Sequence, residues 1–216
     1  MSVLVTYGSK RGGTKGLAEM VATDLREEGL QVDLIPPRRV KRLDEYEAVV
    51  VGGALYASRW HRAAKRFVKR HTGELRERPV FFFSSGPLED SATKKDIPPV
   101  EGVQALMARV GARGHITFGG RLSPDAKGFP ASAMAKNRAG DWRDPAQVQA
   151  WVRSIAAIIQ TSCPTPSDRW PSSANVNSHR ARRRLRSPGA SLGPAHNDAQ
   201  ERDAQGDGPA PSRSDG

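Results

Sequence analysis

The residues best suited to chemistry stand near the N-terminus, where Gly8-Ser9-Lys10-Arg11-Gly12-Gly13-Thr14 joins an apolar run at 2–7 to an amphipathic stretch at 14–28. Glycines let backbone N–H groups turn inward, a following helix adds partial positive charge at its first turn, and the Ser9 and Thr14 hydroxyls can donate to phosphate oxygens. The segment is a candidate phosphate cradle, with Lys10 and Arg11 as added charge. Spacing then sorts the kinds of phosphate site. A dinucleotide fingerprint, G-x-G-x-x-G, fails because Lys10 fills the second glycine position counted from Gly8, where backbone must approach pyrophosphate closely. A nucleoside-triphosphatase loop, G-x-x-x-x-G-K-S/T, finds its gap between Gly8 and Gly13, but Thr14-Lys15 then follows in reverse order and displaces the magnesium-binding hydroxyl. A glycine-rich turn with Thr14 as helix cap also remains open.

Around this loop, apolar periodicity lays out the elements that must position it. Short apolar runs at 2–7, 31–35, 48–51, 79–84 and 115–118 read as strands. Helical spacing marks 14–28, with Leu17, Met20, Val21 and Leu25 on one stripe, and recurs at 60–71, 101–110 and 148–159. Gly29 ends the first helix where a left-handed residue is expected. Runs such as 48–51 are continuously apolar, as parallel strands buried on both faces are. Five strands alternating with helices predict the α/β class, a doubly wound five-stranded parallel sheet. Ligands of such sheets sit outside the carboxyl ends of the strands, so the loops after Tyr7, Val51 and Phe83 are the places to look. The segment 121–140 is a long, weakly patterned connection of the kind that is usually functional or mobile.

Ser9-Lys10-Arg11-Gly12-Gly13-Thr14 resembles the loop S/T-x-T-G-x-T with which flavodoxins hold the terminal phosphate of flavin mononucleotide (FMN), in position and at Ser9, Gly12 and Thr14. Arg11 departs from that pattern and offers a charge-assisted contact where the family has a hydroxyl. Within flavodoxin-like proteins, VVVGGALYASRWHRAAKRFVKRH at 49–71, FGGRLSP at 118–124 and GDWRD at 140–144 resemble the flavodoxin-type, menaquinone-dependent protoporphyrinogen oxidases and their bacterial relatives. The resemblance spans nearly all of 1–160. It implies that FMN binds with its phosphate on Ser9, Lys10, Arg11, Gly12, Gly13 and Thr14. It further implies that the loop 53–58, with Ala54, Leu55 and Tyr56, lies against one face of the ring. The loop 84–90, with Ser84, Ser85 and Gly86, then meets its other edge. Tyr56 is the first stacking candidate and Trp60 the second, since an aromatic face suits the flavin ring; the second loop brings no aromatic residue. His61 is the candidate proton shuttle, because imidazole titrates near neutrality.

Composition bounds the rest. With 37% hydrophobic residues in 216, crowded before Gln160, the chain has one packed domain at 1–160 and a Pro/Ser/Arg-rich tail at 161–216 that is expected to be disordered. Of the formal net charge of +11, the tail supplies +2, eight Arg against six acidic residues, leaving +9 to the domain. That excess favours anionic partners or a basic solvated surface. The run RARRRLR at 180–186 reads as a solvated basic tract, and nucleic acid is not the expected partner. Cys163 stands alone, and the five His show no ligand spacing, so no disulfide, redox pair or metal site is expected. No apolar run reaches membrane-span length and no signal peptide is visible. A cytoplasmic protein is expected, peripheral at the inner face of a membrane if its acceptor lies there. The expected function is FMN-dependent oxidation of an organic substrate, a porphyrinogen by resemblance, with electrons passed to a quinone. Two alternatives stay open: a soluble electron carrier without its own substrate, and a flavin-free interaction scaffold.

Overall fold

A computed structural model of the chain describes residues 1–88, 91–126, 135–136 and 139–162. The tail beyond 162, with Cys163 and the basic run at 180–186, lies outside the described residues, as do Lys127, Phe129, Met134 and Arg138.

Among the described residues the elements run, in chain order, β1 Ser2–Gly8, α1 Gly13–Glu27, β2 Gln31–Leu34, β3 Ala48–Tyr56, β4 Arg59–Trp60, α2 Arg62–Arg70, α3 Thr72–Arg76, β5 Val80–Ser85, α4 Ser91–Lys94, α5 Glu101–Val110, β6 Gly114–Phe118, β7 Arg121–Leu122, β8 Gly140–Asp141 and α6 Pro145–Ser162. Five strands form one parallel sheet in the order β2-β1-β3-β5-β6. The order reverses direction between β1 and β3, and there the carboxyl ends open a crevice.

The pleat divides the core into two layers. Val3 and Val5 of β1, Val50 of β3 and Phe81 and Phe83 of β5 face Leu17, Val21 and Leu25 of α1 and Val152 and Ile155 of α6. Their neighbours Leu4, Val49, Val51 and Phe82 face the other way, onto Phe67 and Val68 of α2 and Val103 and Leu106 of α5. Alternation of this kind is the period of two of a strand buried on both sides. No described helix is long and apolar enough to cross a membrane.

Strand β3 departs from expectation. It runs on to Tyr56, turns at Ala57 and Ser58 and pairs back as β4, with Leu55 opposite Trp60. Gly52 and Gly53, just past the apolar run at 48–51, are packing gaps inside the strand. A Cβ on Gly52 would lie 2.1 Å from the Phe83 ring, and one on Gly53 would lie 2.5 Å from the Trp60 indole. Trp60 therefore belongs to the sheet, and α2 begins two residues later than predicted, with His61 as its cap. At the far end, 121–140 is not wholly irregular: its two ends pair as β7 and β8, Arg121 opposite Asp141.

Candidate functional site

A cavity of about 640 Å³ opens at the carboxyl ends of the central strands, within the range of small-molecule sites. One end is polar and basic. Ser9, Arg11, Gly13 and Thr14 line it, and α1 starts there. Gly12 stands at φ 81° as the helix cap, a backbone state that glycine adopts without strain. Its N–H donates to Ser9 Oγ at 3.1 Å, which fixes the turn. Lys10 and Gly12 are not on the cavity wall; Lys10 acts through its backbone, donating N–H to the Tyr56 hydroxyl at 3.2 Å. The Arg11 guanidinium lies 5.8 Å from the Tyr56 ring centre, within cation–π reach.

The rest of the cavity is an apolar slot. Ala54, Leu55 and Tyr56 form one wall, and Ser85, Gly86, Pro87 and Leu88 the facing one. Gly86 sits so close to Leu55 that a Cβ would meet the Leu55 side chain at 3.0 Å. At the mouth, Ala57 and Ser58 hold φ of 46° and 58°, the two positive values that a two-residue hairpin needs and that Asn or Gly normally supply. Strain of this kind at two non-glycine positions persists only where surroundings over-determine it, typically beside a functional site.

Three residues, two expected as ring contacts and His61 as a proton shuttle, lie off the cavity wall. Ser84 is 1% exposed and its hydroxyl is committed, accepting from Trp60 Nε1 at 3.0 Å and lying 2.9 Å from His115 Nε2. The pleat sends it away from the cavity wall that Ser85 joins. Trp60 is 3% exposed and tilts over Phe82 at 5.0 Å between ring centres, so it is core and not a stacking surface. His61 is not on the cavity wall either. Its Nδ1 accepts from Ala63 N at 3.3 Å, capping α2. Burial, with Arg38 and Lys10 nearby, holds it below the usual imidazole range, which keeps the ring neutral and able to accept.

Spacing had not pointed to Arg121, Leu122, Thr117, Ile97 or Val100, all of which line the cavity. Arg121 reaches the site because β7 and β8 clamp the ends of the long connection, where Asp141 binds Arg143 at 2.7 Å and lies 3.9 Å from Arg121. The stretches 118–124 and 140–144 carried the signal by resemblance, but a two-residue pairing across seventeen intervening positions leaves no periodicity.

The pair Ser84–His115 has a measurable consequence. Burial pulls the His115 imidazole down to about 4, with Asp96 opposing, so the folded ring is neutral beside the Ser84 hydroxyl, 2.9 Å from its Nε2. The unfolded chain takes up a proton below about 6.5, so this contribution is complete above that pH. It is lost as pH falls from 6.5 to 4. Its size is on the order of 2 kcal/mol once the partial exposure of the ring is discounted. Urea midpoints at pH 7.5 and 4.5 are expected to differ less in His115→Gln than in the wild type; an unchanged difference would assign the pH dependence to other groups.

A family model described as Flavodoxin domain matches residues 4–128. The chain is 30% identical over 86 residues to protoporphyrinogen IX dehydrogenase (quinone) of Escherichia coli strain K12, a match over 39% of this chain and 48% of that protein. The chain thus spans about half the length of the curated relatives it matches. A solved flavodoxin from the domain Archaea superimposes with a TM-score of 0.50 at 19% identity, covering 74% of this chain and 99% of that one.

Proposed function

Because the chain belongs to the flavodoxin-domain family and is a flavodoxin-type redox protein, we propose that its cavity holds FMN and that it passes electrons from an organic substrate of the porphyrinogen type to a quinone. The observation that carries the cofactor is the division of the cavity. A glycine-turned, arginine-bearing end at the start of a 15-residue helix adjoins a slot walled by Leu55, Tyr56, Gly86, Pro87 and Leu88. A phosphate fits the first, by helix dipole and N–H donors, and a flat aromatic ring fits the second.

When bound, the flavin supplies the electron chemistry, and the protein supplies position and electrostatics. Ser9, Thr14 and Arg11 would hold the phosphate. Leu55 and Tyr56 on one side and Pro87 and Leu88 on the other would exclude water from the ring, while Ser85 and the backbone at Gly86 would offer hydrogen bonds to it. Arg121, on the cavity wall beside Gly13, would add a second cation at the phosphate end. The porphyrinogen and the quinone rest on the Escherichia coli relative, and with a lipid-borne acceptor of that kind our reading is of a cytoplasmic protein working at the inner face of a membrane.

Visible absorption of the purified protein tests the cofactor. A flavin spectrum with FMN on extraction is expected, and a colourless protein that FMN cannot reconstitute would defeat the proposal. With flavin bound, substrate-dependent reduction of a water-soluble quinone supports the oxidoreductase. Its absence, with flavin reduction intact, returns the chain to a plain electron carrier.

A further inference from the structure

Helix α2 carries five cations in nine residues and no acidic one. Ala64, Phe67 and Val68 face inward; Arg62, Arg66 and Lys69, spaced by four and three, form an exposed row on the opposite side. A second row runs beside it. Arg70 donates to the carbonyl oxygens of Pro37 and Val40, pinning the connection after β2 against α2, and Arg38, Arg39 and Lys41 of that connection are exposed. Among the described residues, none of these six side chains is in an ion pair. The start of α2 adjoins the cavity: the His61 ring lies 6.2 Å, centre to centre, from the ring of Tyr56, which lines the cavity wall and accepts from Lys10 N.

Three anionic surfaces could meet such a face. A protein partner would need aromatic or aliphatic side chains to seal the centre of its interface. The large hydrophobic residue exposed among the described ones is Ile158, on α6, not here. Duplex DNA is read by a helix that projects into a groove, whereas α2 lies flat with its apolar side sunk in the core. A layer of anionic lipid headgroups requires neither, only several cations within a Debye length. We infer that the face formed by Arg62, Arg66 and Lys69 of α2 with Arg38, Arg39 and Lys41 docks on anionic lipid headgroups, holding the cavity mouth at the edge of the contact. This deepens the quinone-reducing reading, since a lipid-borne acceptor is then close to the mouth. It rests on that reading for its purpose alone; the contact itself is electrostatic and reversible, with no apolar insertion.

Cosedimentation of the full chain with vesicles of phosphatidylglycerol and phosphatidylcholine in equal parts tests the docking without any quinone. Binding is expected to these vesicles and not to pure phosphatidylcholine, and to vanish in high salt. Arg62→Glu/Arg66→Glu/Lys69→Glu should bind at least about a hundredfold more weakly, the loss expected from removing three cations before the added repulsion of three carboxylates. Arg109→Glu/Arg113→Glu/Arg153→Glu, with the same change in net charge on other elements, should lose less than tenfold. Arg66→Gln alone, a mild change on an exposed helix position, should weaken binding about fivefold. Equal losses in both triple variants, undiminished binding of the α2 variants, or binding to a DNA duplex in place of vesicles would overturn the assignment. Reduction of a water-soluble quinone reads the oxidoreductase activity separately, so failure of one does not imply failure of the other.

Discussion

Phe83→Ala is expected to remove about 3–5 kcal/mol of stability. Phe83 is fully buried in the middle strand pair of the sheet. Its ring meets Phe118 at 5.9 Å and Trp151 at 6.2 Å, and those two meet each other edge-on at 5.6 Å, a mutually tilted trio of the kind that contributes beyond area burial. The ring also covers the bare backbone of Gly52, where a Cβ would be only 2.1 Å away. That detail sets the size of the effect. When a large side chain is removed, neighbours relax to fill part of the hole. Here one neighbour has no side chain to move and the others are anchored in β6 and α6, so most of the cavity stays open and the cost lies toward the upper end. Against a total of about 5–15 kcal/mol for a domain, such a loss leaves little margin. Urea unfolding followed by tryptophan fluorescence measures it, since Trp151 reports on the same cluster. A loss below about 1 kcal/mol would mean that the trio and the glycine gap do not hold β3, β5 and β6 together as described. Because β5 ends at Ser85 on the cavity wall, the variant is also expected to bind flavin less tightly, in step with its stability.

The parallel sheet was readable because its strands are buried on both faces, and burial on both faces writes itself into the chain as unbroken apolar runs such as VFFF. What misled were residues whose role is set by a partner far along the chain. Gly52 and Gly53 look like punctuation until Phe83 and Trp60 are seen lying over them. Trp60 looked like a ring contact because it is an aromatic residue heading a helix near the expected ligand, and Ser84 because it ends a strand there, but a strand end still obeys the pleat, and the pleat turns Ser84 toward the Trp60 indole and Ser85 toward the cavity. The phosphate cradle was legible for the opposite reason: its glycines, hydroxyls and helix start are consecutive, so local sequence contains nearly all of its geometry. Arg121 illustrates the limit. It joins the site through a two-residue strand pairing with Gly140–Asp141, and no period of two or 3.6 can show over so short an element.

Arg11→Ala is expected to weaken FMN binding about ten- to a hundredfold. A charge-assisted hydrogen bond to phosphate contributes about 1.5–3 kcal/mol, and each 1.4 kcal/mol is a factor of about ten. The competing role for this side chain is its present one, over the Tyr56 ring at 5.8 Å. At a half-exposed site a cation–π contact contributes only about 0.5–1 kcal/mol, so a dianionic phosphate at the start of α1 draws the guanidinium away. Arg11→Thr, which restores the hydroxyl common in the family, should recover part of the loss, and its affinity should depend less on salt. Lys10→Ala is the control. Lys10 meets Tyr56 through its backbone N–H and its side chain is off the cavity wall, so its removal should change affinity less than threefold, by screening-range electrostatics alone. Fluorescence titration of the apoprotein with FMN, and separately with riboflavin, reads all three. Riboflavin lacks the phosphate, so its affinity should be indifferent to Arg11. If Arg11→Ala weakened riboflavin as much as FMN, the arginine would be acting through Tyr56 and the ring wall, and the phosphate would be held by the Ser9–Thr14 backbone and the helix dipole without it.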